Sequence, residues 1–126
     1  MTLVGPDEIA VVELGPIVAG RCRYRMQIIP DLGLMYLAAA VRQKGHEVVI
    51  KDCRLEGTTY AQLYEYVKTH KPRVAGIKCF SNDLSRVKRM AEAIKQAHPS
   101  VVLIAGGPHP SMDPEGMLKR VPELDY

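Results

Sequence analysis

The chain has 126 residues, a formal net charge of +3, 47% hydrophobic and 25% charged residues, and no Trp. That is one ordinary globular domain, too short for a second and too apolar for disorder, with too little charge and aromatic surface to suggest nucleic acid. No apolar run approaches the ~18 residues of a membrane span and the first residues lack a basic-then-apolar leader, so a cytoplasmic location away from membranes is expected.

In chain order, strand-like and helix-like segments alternate. After an irregular lead over 1–7, Glu8 to Leu14 is the first strand, apolar enough to lie inside a parallel sheet, and Gly15-Pro16 ends it. Ile17 to Pro30 has no clear period and carries Arg21, Arg23 and Arg25, which suit a solvated rim or, alternatively, contact with a phosphate or anionic partner. Asp31 is placed to cap a helix running to about Lys44, with Leu34, Leu37, Ala38 and Val41 on one face and Gly45 as its stop. Glu47 to Asp52 is the second strand. A polar turn over Glu56 to Thr59 leads to a helix through Thr69 with Leu63 and Val67 inward, ended by His70-Lys71-Pro72.

Val74 to Phe80 is the third strand, and Ser81, Asn82 or Asp83 can cap the next helix, in which Leu84, Val87, Ala91 and Ile94 recur at helical spacing. His98-Pro99 closes it. Val101 to Ala105 is the fourth strand and empties into Gly106-Gly107-Pro108-His109-Pro110-Ser111, followed by a weak helical segment near Pro114. The paired glycines let a ligand approach the backbone without a Cβ in the way, or merely stop the strand. His109, between two prolines, is expected on a stiff loop, as a locally bonded turn residue or as a ligand contact.

Such a βαβαβαβ run predicts an α/β flavodoxin-like, doubly wound parallel sheet in three layers, with strand order 2-1-3-4. Its switch point lies between the first and third strands, where Gly15, Pro16, Phe80, Ser81, Asn82, Gly106 and Gly107 would line a ligand. After Val121-Pro122-Glu123-Leu124-Asp125-Tyr126 a fifth strand is due, so a piece of a longer protein is expected. The fourth strand would then be an open edge able to pair into a dimer. Neither a Gly-x-Gly-x-x-Gly after the first strand nor a phosphate-binding Gly-x-x-x-x-Gly-Lys-Ser/Thr loop occurs. Cys22, Cys53 and Cys79 form no CxxC pair, and His46, His70 and His98 sit at helix ends, so no metal site is expected. A Ser-His-Asp triad cannot be read from the nearness of Ser81, Ser111, His109 and Asp113, and no catalytic residue is assigned.

The stretch from Pro30-Asp-Leu-Gly-Leu-Met-Tyr-Leu-Ala through Gly45-His-Glu-Val, then Asp52, Val74-Ala-Gly-Ile and Gly106-Gly-Pro-His-Pro-Ser, resembles the N-terminal cobalamin-binding domain of cobalamin-dependent radical S-adenosylmethionine enzymes. The resemblance implies a cobalamin module joined, in the same polypeptide, to a radical domain holding a [4Fe-4S] cluster and S-adenosylmethionine, most often for methyl transfer. The Cys-x-x-x-Cys-x-x-Cys motif of that domain is absent here, so this chain alone is expected to carry no radical chemistry.

On that resemblance the slot is expected at Gly106 and Gly107 and the corrin platform at Leu32-Gly33 and the loop after Phe80, with Pro108, His109 and Ser111 also expected among the cofactor-binding residues. Gly107→Val should then abolish binding. Mutase-type domains carry Asp-x-His-x-x-Gly after the first strand, where this chain has Gly15-Pro-Ile-Val-Ala-Gly without His. That implies base-off cobalamin with no protein ligand below the cobalt, which favours a nucleophilic, methyl-accepting cobalt. Two alternatives stand beside it: a flavodoxin-like scaffold that has lost cobalamin, and a nucleotide-binding module for flavin or nicotinamide.

Overall fold

The computed structural model describes residues 9–13, 31–53 and 58–126. Its elements are β1 (Ile9–Glu13), α1 (Leu32–Gln43), β2 (Val48–Asp52), α2 (Tyr60–His70), β3 (Val74–Lys78), a 3-10 turn (Ser81–Asp83), α3 (Leu84–Ala97), β4 (Val102–Gly106), α4 (Pro108–Met112) and α5 (Pro114–Arg120). The four strands form one parallel sheet in the order β2-β1-β3-β4, as the alternation of segments predicts. Gly15, Pro16, the three arginines and Cys22 lie outside the described residues.

Helix ends follow local chemistry. The Asp31 carboxylate accepts from the Leu34 N–H at 2.9 Å, and Gly45 takes φ +86° just beyond α1. Thr59 caps α2 through a reciprocal pair with Gln62, at 3.2 Å and 2.8 Å. Capping of α3 departs from expectation. Ser81 to Asp83 run as a 3-10 turn straight into the helix, Asp83 already has helical backbone angles, and its carboxylate accepts from Arg86 at 2.9 Å instead of capping.

Alternation along the strands separates two faces. Ala75, Ile77, Cys79 and Leu103 point to a core shared with Leu63 and Val67 of α2, with Val87, Met90, Ala91 and Ile94 of α3, and with Met117 of α5. On the other face a much smaller cluster joins Leu34 and Ala38 of α1 to Val48.

Three expectations are corrected here. Gly106 is the last residue of β4, in register with Lys78, so only Gly107 opens the loop. His109 lies in the helix α4 and not on an extended loop, because Pro108 and Pro110 both hold φ values that suit a first helical turn. The edge of β4 is not bare either. Asp125 and Tyr126 N–H groups donate to the Leu103 carbonyl at 2.8 and 3.3 Å, and the Ala105 N–H donates to the Tyr126 carbonyl at 2.9 Å. The Asp125 carboxylate also takes the Leu103 N–H at 2.8 Å and is itself held by Lys95 at 2.7 Å, so the last two residues lie along β4 like a parallel neighbour. Among the described residues no helix is long and apolar enough to cross a membrane.

Candidate functional site

The site grows out of a conflict within β3 and β4. Both strands need apolar residues on the α2–α3–α5 face, and both carry glycines on the α1 face, at Gly76 and Gly106. Where a Cβ is missing on a packed sheet, either a helix closes in or space remains. Here space remains. A Cβ built on Gly76 or on Gly106 would meet no atom of the described residues within 4 Å. The resulting cavity is about 280 Å³, roofed by Leu34 and Leu37 of α1, floored by Gly76 and Ile104, and closed toward the strand ends by Gly33, Lys78, Gly106 and Gly107. It sits over β3 and β4 toward their carboxyl ends, the end of the strands where ligands of open parallel sheets bind. The volume falls just below the roughly 300–1,000 Å³ of small-molecule pockets.

Gly107 differs from Gly106. Its φ of +104° with ψ −169° belongs to a region essentially restricted to glycine. A Cβ there would also stand 3.0 Å from the Cys79 carbonyl oxygen. Gly107 therefore shapes the turn, and Gly106 opens the slot. Replacing Gly107 by Val disturbs the backbone as well as the cavity, so it cannot by itself report on binding.

The rim is polar on one side. Lys78 Nζ forms an ion pair with Asp31, with side-chain exposures of 20% and 11%, and lies 4.9 Å from the centre of the Phe80 ring. Burial raises the Asp31 carboxyl, but the Lys78 ammonium and the Leu34 and Gly33 N–H groups outweigh it and hold it below the usual carboxylate range. Next to this rim the Ser81 hydroxyl and His109 Nδ1 are 3.0 Å apart, while the His109 backbone N–H donates to the Cys79 carbonyl at 3.2 Å. His109 Nε2 is buried and has no hydrogen-bond partner among the described residues.

Of the residues singled out in the sequence, Gly33, Gly106 and Gly107 line the cavity. Phe80, Ser81 and His109 form the neighbouring rim, with Phe80 43% exposed. Ser111 is spent locally, its hydroxyl donating to the Gly107 carbonyl at 2.8 Å, which ties α4 to the turn. Asn82 and Pro108 are exposed beside these groups, and Leu32 is 62% exposed at the start of α1. Sequence reasoning missed Gly76 and Lys78. The signal was present, since position 76 interrupts an otherwise apolar strand and Lys78 stands where a buried strand carries no charge.

Comparison with known proteins places this arrangement. The model of the B12 binding domain matches residues 22–126. The chain belongs to the B12-binding domain family. This B12-binding domain is 31% identical over 96 residues to an uncharacterized methyltransferase of Pyrococcus horikoshii, covering 76% of this chain and 21% of that protein. It is 25% identical over 97 residues to the anaerobic magnesium-protoporphyrin IX monomethyl ester cyclase of Rubrivivax gelatinosus, covering 76% of this chain and 18% of that protein. In fold it is similar to the radical S-adenosylmethionine methyltransferase TsrM from Kitasatospora setae, solved with a tryptophan substrate and an S-adenosylmethionine analogue. The TM-score there is 0.73 at 16% identity, covering 92% of this chain and 22% of that one. The B12-binding domain thus spans about a fifth of the length of the proteins it matches. Its flavodoxin-like fold and family are those implied by the Pro30 to Val48 and Gly106 to Ser111 stretches.

Proposed function

We propose that this domain binds cobalamin base-off, with the nucleotide tail in the cavity between α1 and the ends of β3 and β4. The observation that carries the reading is the space over Gly76 and Gly106, where even a Cβ would meet none of the described atoms, in a member of the B12-binding family. Leu34, Leu37 and Ile104 offer apolar walls for a base, Gly33, Gly106 and Gly107 give close backbone approach, and Phe80, Ser81, Asn82 and His109 border the outer surface for the corrin. Leu32, Pro108 and Ser111, also chosen from the sequence, belong to the same proposed surface or support it.

Cobalamin, when bound, supplies a cobalt centre able to carry a methyl group. The chain's own part is to bind and orient: glycines admit the tail and apolar walls exclude water from it. Methyl transfer, a [4Fe-4S] cluster and S-adenosylmethionine belong, on this reading, to a catalytic domain of the same polypeptide in the cytoplasm. The relatives named as a methyltransferase and as a radical methyltransferase support that assignment.

The test is a visible-light titration of hydroxocobalamin into the purified protein, followed by desalting. Retained corrin absorbance with a base-off spectrum is expected for the natural sequence. Gly106→Val, whose Cβ would meet none of the described atoms within 4 Å, should lose the colour while the fold still melts cooperatively. If the natural protein retains no colour, the domain is a scaffold and the cobalamin reading fails.

A further inference from the structure

We infer that Lys78 is the anion contact of the cavity and takes the phosphodiester of the bound nucleotide tail, with Asp31 as its resident counter-ion. This rests on the cobalamin reading above, and names a residue and a ligand group that reading leaves open. Lys78 is the one charged residue among the described residues lining an otherwise apolar slot. An ammonium has three N–H donors, and the hydrogen bond recorded for Lys78 Nζ goes to Asp31. A second acceptor can therefore join without breaking the first contact.

The surroundings are built to leave the ammonium accessible. A Cβ on Gly33 would stand 4.0 Å from Lys78 Nζ, and one on Gly107 would stand 3.3 Å from Lys78 Cγ. Both positions are glycine, so the lysine's stem and head are walled by bare backbone where side chains would otherwise crowd them. Register places Lys78 beside Gly106, the residue over which the slot opens. Asp31 is held in turn by the start of α1, its other carboxylate oxygen accepting from Leu34 N–H. In a partly buried site the counter-ion holds the ammonium at the slot, while also competing for it.

A phosphate in the slot could belong to cobalamin's tail or to a free nucleotide, and the ligands used separate the two. Binding of hydroxocobalamin, of cobinamide, which lacks phosphate, ribose and base, of cobinamide phosphate, and of flavin mononucleotide is measured by absorbance for natural, Lys78→Met and Asp31→Asn proteins. Met keeps the length of the stem and removes the charge. Lys78→Met is expected to weaken hydroxocobalamin and cobinamide phosphate roughly tenfold or more, and to leave cobinamide unchanged. Asn still caps α1, so Asp31→Asn removes only the competing charge. It should tighten the two phosphate-bearing corrinoids a few-fold, although an ion pair has been lost.

Equal loss of cobinamide and cobalamin in Lys78→Met, or loss of neither, would overturn the assignment while leaving the cobalamin site standing. Weakening by Asp31→Asn would also count against it. Natural protein that binds flavin mononucleotide but no corrinoid would overturn the cobalamin reading, and this inference with it.

Discussion

The two faces of the sheet are made by the same strands and could hardly differ more. On the side of α2, α3 and α5, Ala75, Ile77, Cys79 and Leu103 are at most 1% exposed. On the α1 side, one residue along in each strand, Val102 and Ile104 remain 37% and 36% exposed, and Gly76 and Gly106 leave a cavity. Strand alternation assigns each residue to a face, but helices decide which face is filled. The packed face supplies stability and the open face supplies the site.

The largest test of this contrast is a pair of truncations on neighbouring residues of β4. Leu103→Ala empties a fully buried position and should cost about 2–5 kcal/mol in denaturant unfolding, with the slope of the transition unchanged. Ile104→Ala, on the open face, should cost about 1 kcal/mol or less. Equal losses would mean that the open face is as well packed as the other.

A second pair separates turn from slot. Gly107→Ala forces an L-residue into a glycine-only conformation against the Cys79 carbonyl and should cost about 1–3 kcal/mol. Gly106→Ala meets none of the described atoms and should leave the melting temperature within a degree or two, while weakening cobalamin retention.

Acid sharpens the contrast from the side of the rim. The folded Asp31 carboxyl titrates below its unfolded value of about 3.9. Its contribution is therefore fully present above that value and is lost as pH falls through the folded one. Melting curves between pH 5 and pH 3 should fall less steeply for Asp31→Asn than for the natural protein, and identical slopes would remove Asp31 from the account. The smallest effect belongs to the packed face. Burial, then the nearby Asp83 charge, pushes the Cys79 thiol up to about 11, so iodoacetamide at pH 8 should leave it unmodified in mass mapping until denaturant is added.

Local rules made much of this protein legible in advance. The 3.6-residue spacing of Leu84, Val87, Ala91 and Ile94, the Asp31 and Thr59 starts and the Gly45 stop locate helices, because caps and periodicity act within one or two turns. Short apolar runs between helices determine a parallel sheet, and the quoted motifs place the chain in its family. Other features were settled only by tertiary contact. Asp125 and Tyr126 found β4, 20 or more residues back, through backbone groups that every residue possesses. The cavity depends on Gly76 facing α1 across a gap, and the Lys78–Asp31 pair joins positions 47 residues apart. Such long-range meetings carry no periodicity, because they are made by the packing of whole elements and not by any one stretch of chain.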